Sequence, residues 1–287
     1  MKGVLIRRFM KNLLKITDFL PDEILQIFAI ADEIKKGKYK KILNGKTAVL
    51  FFPNSSIRTR ISFEKGVHLL GGQTILFPSE ALDKKEEIMD VCGYLNNWAD
   101  LIIVRHKNFE LIQQIAKYSH APVINAMTNI NHPCEIISDM YALSKIRKDF
   151  LNDEYLFCGT KGNIGLAWKE ASEIMKLKLF QCCPKGYEMD GIPFSDNLSE
   201  AIIGKDIICT DTLPQDLVND KKFQVTKKLM DTANKGAILN PCPPFFRGEE
   251  VSADVIDSEY FVGYEFKKNL LFVQQAIIVY CLTKGKG

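Results

Sequence analysis

Phe52-Pro53-Asn54-Ser55-Ser56-Ile57-Arg58-Thr59-Arg60-Ile61-Ser62-Phe63-Glu64 is the stretch on which the reading of this chain turns. Just before it, Thr47-Ala48-Val49-Leu50-Phe51-Phe52 is apolar and β-prone, as a buried strand is. After it, Phe63, Val67 and Leu70 recur at helical spacing until Gly71-Gly72 ends the pattern. A polar turn therefore opens a helix, with Ser56 near its start. Unpaired backbone N–H groups and the positive end of the helix dipole favour an anion at such a place. Ser56 and Thr59 add hydroxyls, and Arg58 and Arg60 add planar guanidinium donors suited to phosphate. The same residues also read as a Ser N-cap followed by solvated arginines.

Working outward, strand-like and helix-like segments alternate almost throughout. Strand candidates lie at 47–52, 74–77, 101–104, 123–125, 155–158, 177–182, 206–209 and 237–239, with helical stretches between most of them. That alternation predicts an α/β fold with largely parallel sheets flanked by helices. Ligands in such sheets bind beyond the carboxyl ends of the strands. Ser56, Arg105 and His132 all follow strand ends, so one crevice can collect them. Pro21-Asp22-Glu23 opens the first long helix, with Pro and acids in its first turn.

A chain of 287 residues is long enough for two ordinary domains. Its 46% hydrophobic and 25% charged content is that of a soluble globular protein, and a net charge of +3 implies no nucleic-acid or membrane partner. Arg7-Arg8 and then Met10-Lys11-Asn12 leave no apolar core for a signal peptide. The best apolar run, 270–282, is interrupted by Gln274-Gln275 and is too short to span a bilayer. Eight cysteines without a Cys-x-x-Cys pair read as reduced thiols of a cytoplasmic protein. No His-x-x-x-His pair marks a metal site.

Ser56-x-Arg58-Thr59-Arg60, followed by Ser62-Phe63-Glu64, resembles the carbamoyl-phosphate motif of the aspartate/ornithine carbamoyltransferase family. Three further segments in the right order are similar to family motifs. They are Arg105 at the end of an apolar run, Pro122-Val123-Ile124-Asn125 leading to His132-Pro133-Cys134-Glu135 and Ser138-Asp139, and Cys242-Pro243-Pro244 leading to Arg247-Gly248-Glu249-Glu250-Val251. The resemblance spans most of the chain. It implies a carbamoyl-phosphate domain formed by 1–150 together with 265–287, whose C-terminal helix returns to it, and an acceptor domain at 151–264. It also implies a homotrimer and no cofactor.

By the same resemblance Ser56, Ile57, Arg58 and Thr59 bind the phosphate, while Thr59, Arg105 and His132 donate to the carbamoyl oxygen. Ile57 departs from the usual Thr but keeps its backbone N–H. Glu135 stands at a Gln position, where it can accept from the carbamoyl NH₂ but adds negative charge beside a dianion. Arg60 can pair with Glu64 at i,i+4, which favours a structural role. Lys84 aligns with a lysine that aspartate-type members lend to the neighbouring subunit; the Asp83–Glu86 run also reads as a solvated charge cluster.

On the acceptor side Asn163 and Asp211 match residues that hold the amino-acid backbone, and Cys242 matches one lining the ornithine side chain. Here the chain departs from the pattern. Gly159 replaces an Asp, Pro214-Gln215-Asp216 replaces Ser-Met-Gly, Pro241 replaces a His, and Leu270 replaces an Arg whose role passes to Lys267 or Lys268 or is lost. The expected reaction moves a carbamoyl group from carbamoyl phosphate to a small amine-bearing acceptor, with ornithine the first choice. The alternatives are another amine acceptor and a ligand-binding paralogue without turnover. Gly159-x-x-Gly162-x-x-Gly165 also resembles a loose dinucleotide fingerprint, but the next strand ends Gln181-Cys182-Cys183 without the required acid.

Overall fold

The computed structural model describes residues 11–218 and 220–283. Arg7, Arg8 and Met10, on which the signal-peptide reading rests, lie outside them. Two compact units account for the described chain. The first holds 11–129, 133–138 and 269–283; the second holds 130–132 and 139–268.

In the first unit, β1 (Thr47–Phe52), β2 (Gln73–Pro78), β3 (Leu101–Arg105) and β4 (Val123–Met127) form a parallel sheet in the order β2-β1-β3-β4. Its helices are α1 (Pro21–Lys35), α2 (Arg58–Leu69), α3 (Ile88–Leu95), α4 (Phe109–Tyr118) and the first residues of α5 (Pro133–Ile146). Strands covered on both faces need apolar residues at every position, and β1 and β3 are buried almost throughout. On one face Val49, Phe51, Ile102, Val104 and Val123 pack with Ile112 and Ile115 of α4 and Cys92 of α3. The edge strand β2 is the exception, mostly exposed, with Ile75 and Phe77 open to solvent. The opposite edge is covered. Leu13 N–H donates to Val123 O and Asn125 N–H to Leu13 O, so the preceding segment runs alongside β4.

The second unit has a five-stranded parallel sheet, β7-β6-β5-β8-β9. These strands are β5 (Glu154–Cys158), β6 (Lys178–Cys182), β7 (Phe194–Ser195), β8 (Ile207–Thr210) and β9 (Ile238–Pro241). The two-residue β7 is too short to carry a period and is not among the sequence candidates. On one face Tyr155 of β5 meets Trp168 of α6 (Asn163–Met175), ring centroids 5.7 Å apart. On the other, Leu156, Ile208 and Leu239 pack with the short helices α7 (Leu198–Ala201), α8 (Lys227–Met230) and α9 (Ala253–Ile256).

The last helix, α10 (Asn269–Thr283), belongs to the first unit and packs on α1 and α2. It is buried all round, so its sequence shows no amphipathic stripe. Glu23 in the first turn of α1 accepts from Lys11 Nζ at 2.6 Å, from the Tyr280 hydroxyl of α10 at 2.6 Å and from Leu20 N–H at 2.8 Å. Burial works against the charge, but these donors outweigh it and hold the carboxyl down at about 2. Among the described residues no helix is long and apolar enough to cross a membrane.

Candidate active site

In the first unit the chain leaves β1 through a tight turn, Ser56 N–H donating to Pro53 O at 2.9 Å, and enters α2. The N-cap of α2 is Ile57, which has no side chain able to cap. Ser56 is therefore not the cap that one reading of the motif makes it. Ser56 is buried, 4% exposed, and its hydroxyl instead accepts from Arg105 Nη1 at 3.1 Å. The same nitrogen lies 3.1 Å from Thr59 Oγ1, and Thr59 is also buried. Arg105, at the carboxyl end of β3, thus joins the neighbouring strand end to the first turn of α2. Its charge lies where the uncapped helix start already favours an anion.

Arg58 and Ile57 are exposed at the start of α2. Arg60 turns away: its Nε donates to Glu64 Oε1 at 2.6 Å, the structural pairing its spacing suggests. Glu135, 5% exposed, is in the first turn of α5. His132 is the N-cap residue of α5 with Pro133 at the first helical position, as the sequence predicts; it is 6% exposed and belongs to the second unit. Beside the Arg105 cluster a cavity of about 270 Å³ opens between the ends of β1, β3 and β4, with Ser55, Glu80, Asp83, Arg105, His106 and Lys107 in its wall. Lys84 and Lys85 follow Asp83 in an exposed bend.

The acceptor candidates converge at the carboxyl ends of three adjacent strands in the second unit. Asp211 follows β8, Cys242 follows β9, and Asn163 opens α6 a few residues after β5. Cys242 N–H donates to Thr210 O at 3.0 Å, and Asp211 N–H to Cys158 O at 3.4 Å. Asp211 Oδ1 accepts from Thr212 N–H at 2.9 Å, and its Oδ2 faces Gly162, where an added Cβ would lie 3.7 Å away. The carboxylate therefore sits against the residue preceding Asn163. Burial pushes the Asp211 carboxyl up to about 6, against the opposing pull of the Thr212 N–H. A carboxylate held there gains from a cationic partner.

The glycines of this loop have a packing cause. A Cβ on Gly159 would come within 3.0 Å of the Phe157 ring, and one on Gly165 within 2.7 Å of it and 2.9 Å of Thr160 O. They let α6 close onto β5, and a side chain at 159 would press on the Phe157 ring. Gln181, invisible as a functional signal in the sequence, supports the loop: it donates to Gly159 O and Tyr187 O and accepts from Met189 N–H.

Both lysines near the replaced arginine are in ion pairs. Lys267 Nζ lies 2.6 Å from Asp139 Oδ1, which also shares its carboxylate with Asn240 Nδ2 at 2.8 Å. Lys268 pairs with Glu265. Leu270 itself is buried in α10.

Models of known families match the chain in two consecutive blocks. Residues 11–145 match the aspartate/ornithine carbamoyltransferase carbamoyl-P binding domain, and residues 152–281 the Asp/Orn binding domain. The chain belongs to the aspartate/ornithine carbamoyltransferase family. Within this carbamoyltransferase family it stands with the ornithine type. It is 31% identical over 303 residues to an ornithine carbamoyltransferase of Methanobrevibacter smithii, covering 95% of this chain and 100% of that protein. Among solved structures, ornithine carbamoyltransferase from Burkholderia thailandensis superposes with a TM-score of 0.88 at 28% identity, over 96% of this chain and 99% of that one. An anabolic ornithine carbamoyltransferase from Campylobacter jejuni gives 0.87 at 27% identity, over 96% and 100%.

Proposed function

We propose that this cytoplasmic protein transfers the carbamoyl group of carbamoyl phosphate to the side-chain amine of ornithine, giving citrulline and phosphate. The observation that carries this reading is the placement of Asp211 against Gly162-Asn163, with Cys242 on the next strand end. A carboxylate beside a helix start can hold the α-ammonium and α-carboxylate of one amino acid together. The names of the relatives support ornithine.

In the reaction the neutral amine attacks the carbamoyl carbon, the bond from that carbon to the phosphate oxygen breaks, and phosphate departs with the electron pair. The extra proton of the amine then passes to the departing phosphate. Ser56, Arg58 and the backbone N–H groups of 57–59 hold the phosphate; Thr59, Arg105 and His132 donate to the carbonyl oxygen as it gains charge. Glu135 accepts from the carbamoyl NH₂. Protein side chains form no covalent bond, and positioning supplies most of the rate.

Exposed apolar residues on the donor unit support self-association, which the family resemblance makes a homotrimer: Ile57 and Ile61 at the start of α2, Ile75 and Phe77 on β2, and Met89, Tyr94 and Trp98 on and after α3. Lys84 would then serve a neighbour's site.

The deciding experiment is phosphate release from carbamoyl phosphate across a panel of amines, with citrulline measured directly. Ornithine-dependent release with stoichiometric citrulline is expected. Release with another amine and none with ornithine would assign a different acceptor, a reading favoured by Pro214-Gln215-Asp216 where ornithine enzymes keep Ser-Met-Gly. No release with any amine would overturn the enzyme reading.

A further inference from the structure

His106 follows Arg105 directly, yet the reaction as described leaves it without a role. Its side chain is 3% exposed, and both ring nitrogens are used. Nδ1 accepts from Asn108 N–H at 3.1 Å, so the ring proton lies on Nε2 and points at Asp83 Oδ1, 3.0 Å away. Asn108 is itself fixed as the N-cap of α4, its Oδ1 accepting from Glu110 N–H at 2.9 Å and Leu111 N–H at 3.4 Å. The backbone of His106 donates to Met127 O on β4 at 3.1 Å. The residue is thus anchored through its backbone to β4 and through its ring to the start of α4, and the one remaining ring donor reaches a loop. That loop is otherwise weakly held. Asp83 N–H closes the turn Ser79–Leu82 by donating to Glu80 O at 3.1 Å, and residues 83–87 are exposed.

We propose that His106 is a positioning residue: through Asp83 it fixes the Lys84-Lys85 bend, so that the Lys84 ammonium is presented in one place to the anionic donor of the neighbouring subunit. This rests on the proposed carbamoyl-phosphate chemistry and homotrimer. A buried ring N–H with one acceptor is costly to leave unmade, so the tie holds even though Asp83 is half-exposed. Two lysines carry large rotamer freedom, and fixing their backbone removes part of the ordering cost from donor binding.

Two arms test it on the full chain. The first uses no substrate. Trypsin cleavage after Lys84 and Lys85, mapped by mass spectrometry, should be about tenfold faster in His106→Phe than in the wild type, while His106→Gln, which keeps a donor, restores most of the protection. Unchanged cleavage in His106→Phe overturns the tie, whatever the chain catalyses.

The second arm is kinetic. His106→Phe should raise the KM for carbamoyl phosphate about tenfold with kcat within about twofold, and should add less than about twofold when Lys84→Ala is already present. A full, additive loss in the Lys84→Ala background means that His106 supports the fold in general, and overturns the positioning role. A wild-type chain with no carbamoyl-phosphate turnover overturns the underlying reaction, and with it the donor role, while the cleavage arm still decides whether the tie exists.

Discussion

The proposed donor and acceptor sites sit at the carboxyl ends of two parallel sheets, but they are built in opposite ways. The donor site is largely one continuous strand, turn and helix start, cross-linked by a single arginine from the next strand: Arg105 to Ser56 and Thr59. The acceptor site takes one residue from each of three strand ends, Asn163, Asp211 and Cys242, and its loops are shaped by packing on Phe157. A site encoded in one stretch resists change, because each position also serves the turn or the helix. A site assembled from separate loops can lose or exchange members one at a time. The departures of this chain follow that division. Within the donor stretch only Ile57 departs, and Glu135 departs outside it on α5, whereas the acceptor loops have changed Gly159, Pro241 and the whole of 214–216.

The largest effect should come from the cross-link. Arg105→Gln removes a charge-assisted donor and leaves the buried hydroxyls of Ser56 and Thr59 without it. Turnover should fall about 10³-fold, with carbamoyl-phosphate affinity reduced as well. Circular dichroism should show an intact fold. A loss of under about tenfold would break the comparison, because the donor site would then not hinge on one residue.

Asp211→Asn probes the other side. The KM for the acceptor should rise about 10²-fold while carbamoyl-phosphate affinity stays within about twofold. The same change should stabilise the protein at pH 7 by about 1–2 kcal/mol. The folded carboxyl titrates near 6 against an ordinary 3.8, so ionising it costs the folded state. That cost is absent below the unfolded value, builds as pH rises through 3.8 to about 6, and is fully present above. Acceptor kcat/KM in the wild type should correspondingly fall as pH drops through about 6. Equal weakening of both substrates would make Asp211 a structural residue.

How much of this was legible follows from the same division. The strands of the donor sheet, its helix start and Arg105 can be read because they are local and periodic. The edge strand β2 shows only weak alternation, since neither of its faces is fully covered. The Asp83–His106 tie joins residues far apart in sequence, and nothing in either segment announces it. Gln181 reads as an ordinary strand residue until its three hydrogen bonds are seen. The fate of the lost arginine was open from sequence, and the pairing of Lys267 with a buried Asp139 leaves that lysine committed elsewhere.

Glu135 should have a smaller effect, about 1–3 kcal/mol on transition-state binding for Glu135→Ala. Glu135→Gln keeps an acceptor oxygen and should retain substantial activity, with tighter carbamoyl phosphate once a negative charge is gone. Equal, large losses in both variants would mean that the charge itself matters, as in an ion pair that positions an arginine.

Away from both sites, Glu23→Gln weakens the tie between α1 and α10 and should cost roughly 1–3 kcal/mol at pH 7 by thermal or urea unfolding, with kinetics unchanged. The sign fixes its pH range. A carboxyl lowered from 4.5 to about 2 stabilises the fold fully above 4.5 and loses that contribution as pH falls towards 2. The wild type and Glu23→Gln should therefore converge in stability below pH 4.5. Parallel curves down to pH 2 would mean that the carboxylate is not held by Lys11 and Tyr280.

The smallest effect separates the two arginines of the opening motif. Arg60 and Glu64 pair one helical turn apart with both side chains about a third exposed, so solvent screens most of their attraction. Arg60→Ala should cost about 0.3–0.5 kcal/mol in stability and leave the KM for carbamoyl phosphate within about twofold. Arg58→Ala, two positions earlier and free to meet an anion at the start of α2, should raise that KM by a factor of about 30 or more. The two substitutions remove the same charge from the same helix. A difference between them therefore reports direction rather than net electrostatics. If Arg60→Ala weakens the donor as much as Arg58→Ala does, the pairing with Glu64 opens on binding, and the donor site draws on the whole Ser-x-Arg-Thr-Arg run rather than on the residues that precede Arg60.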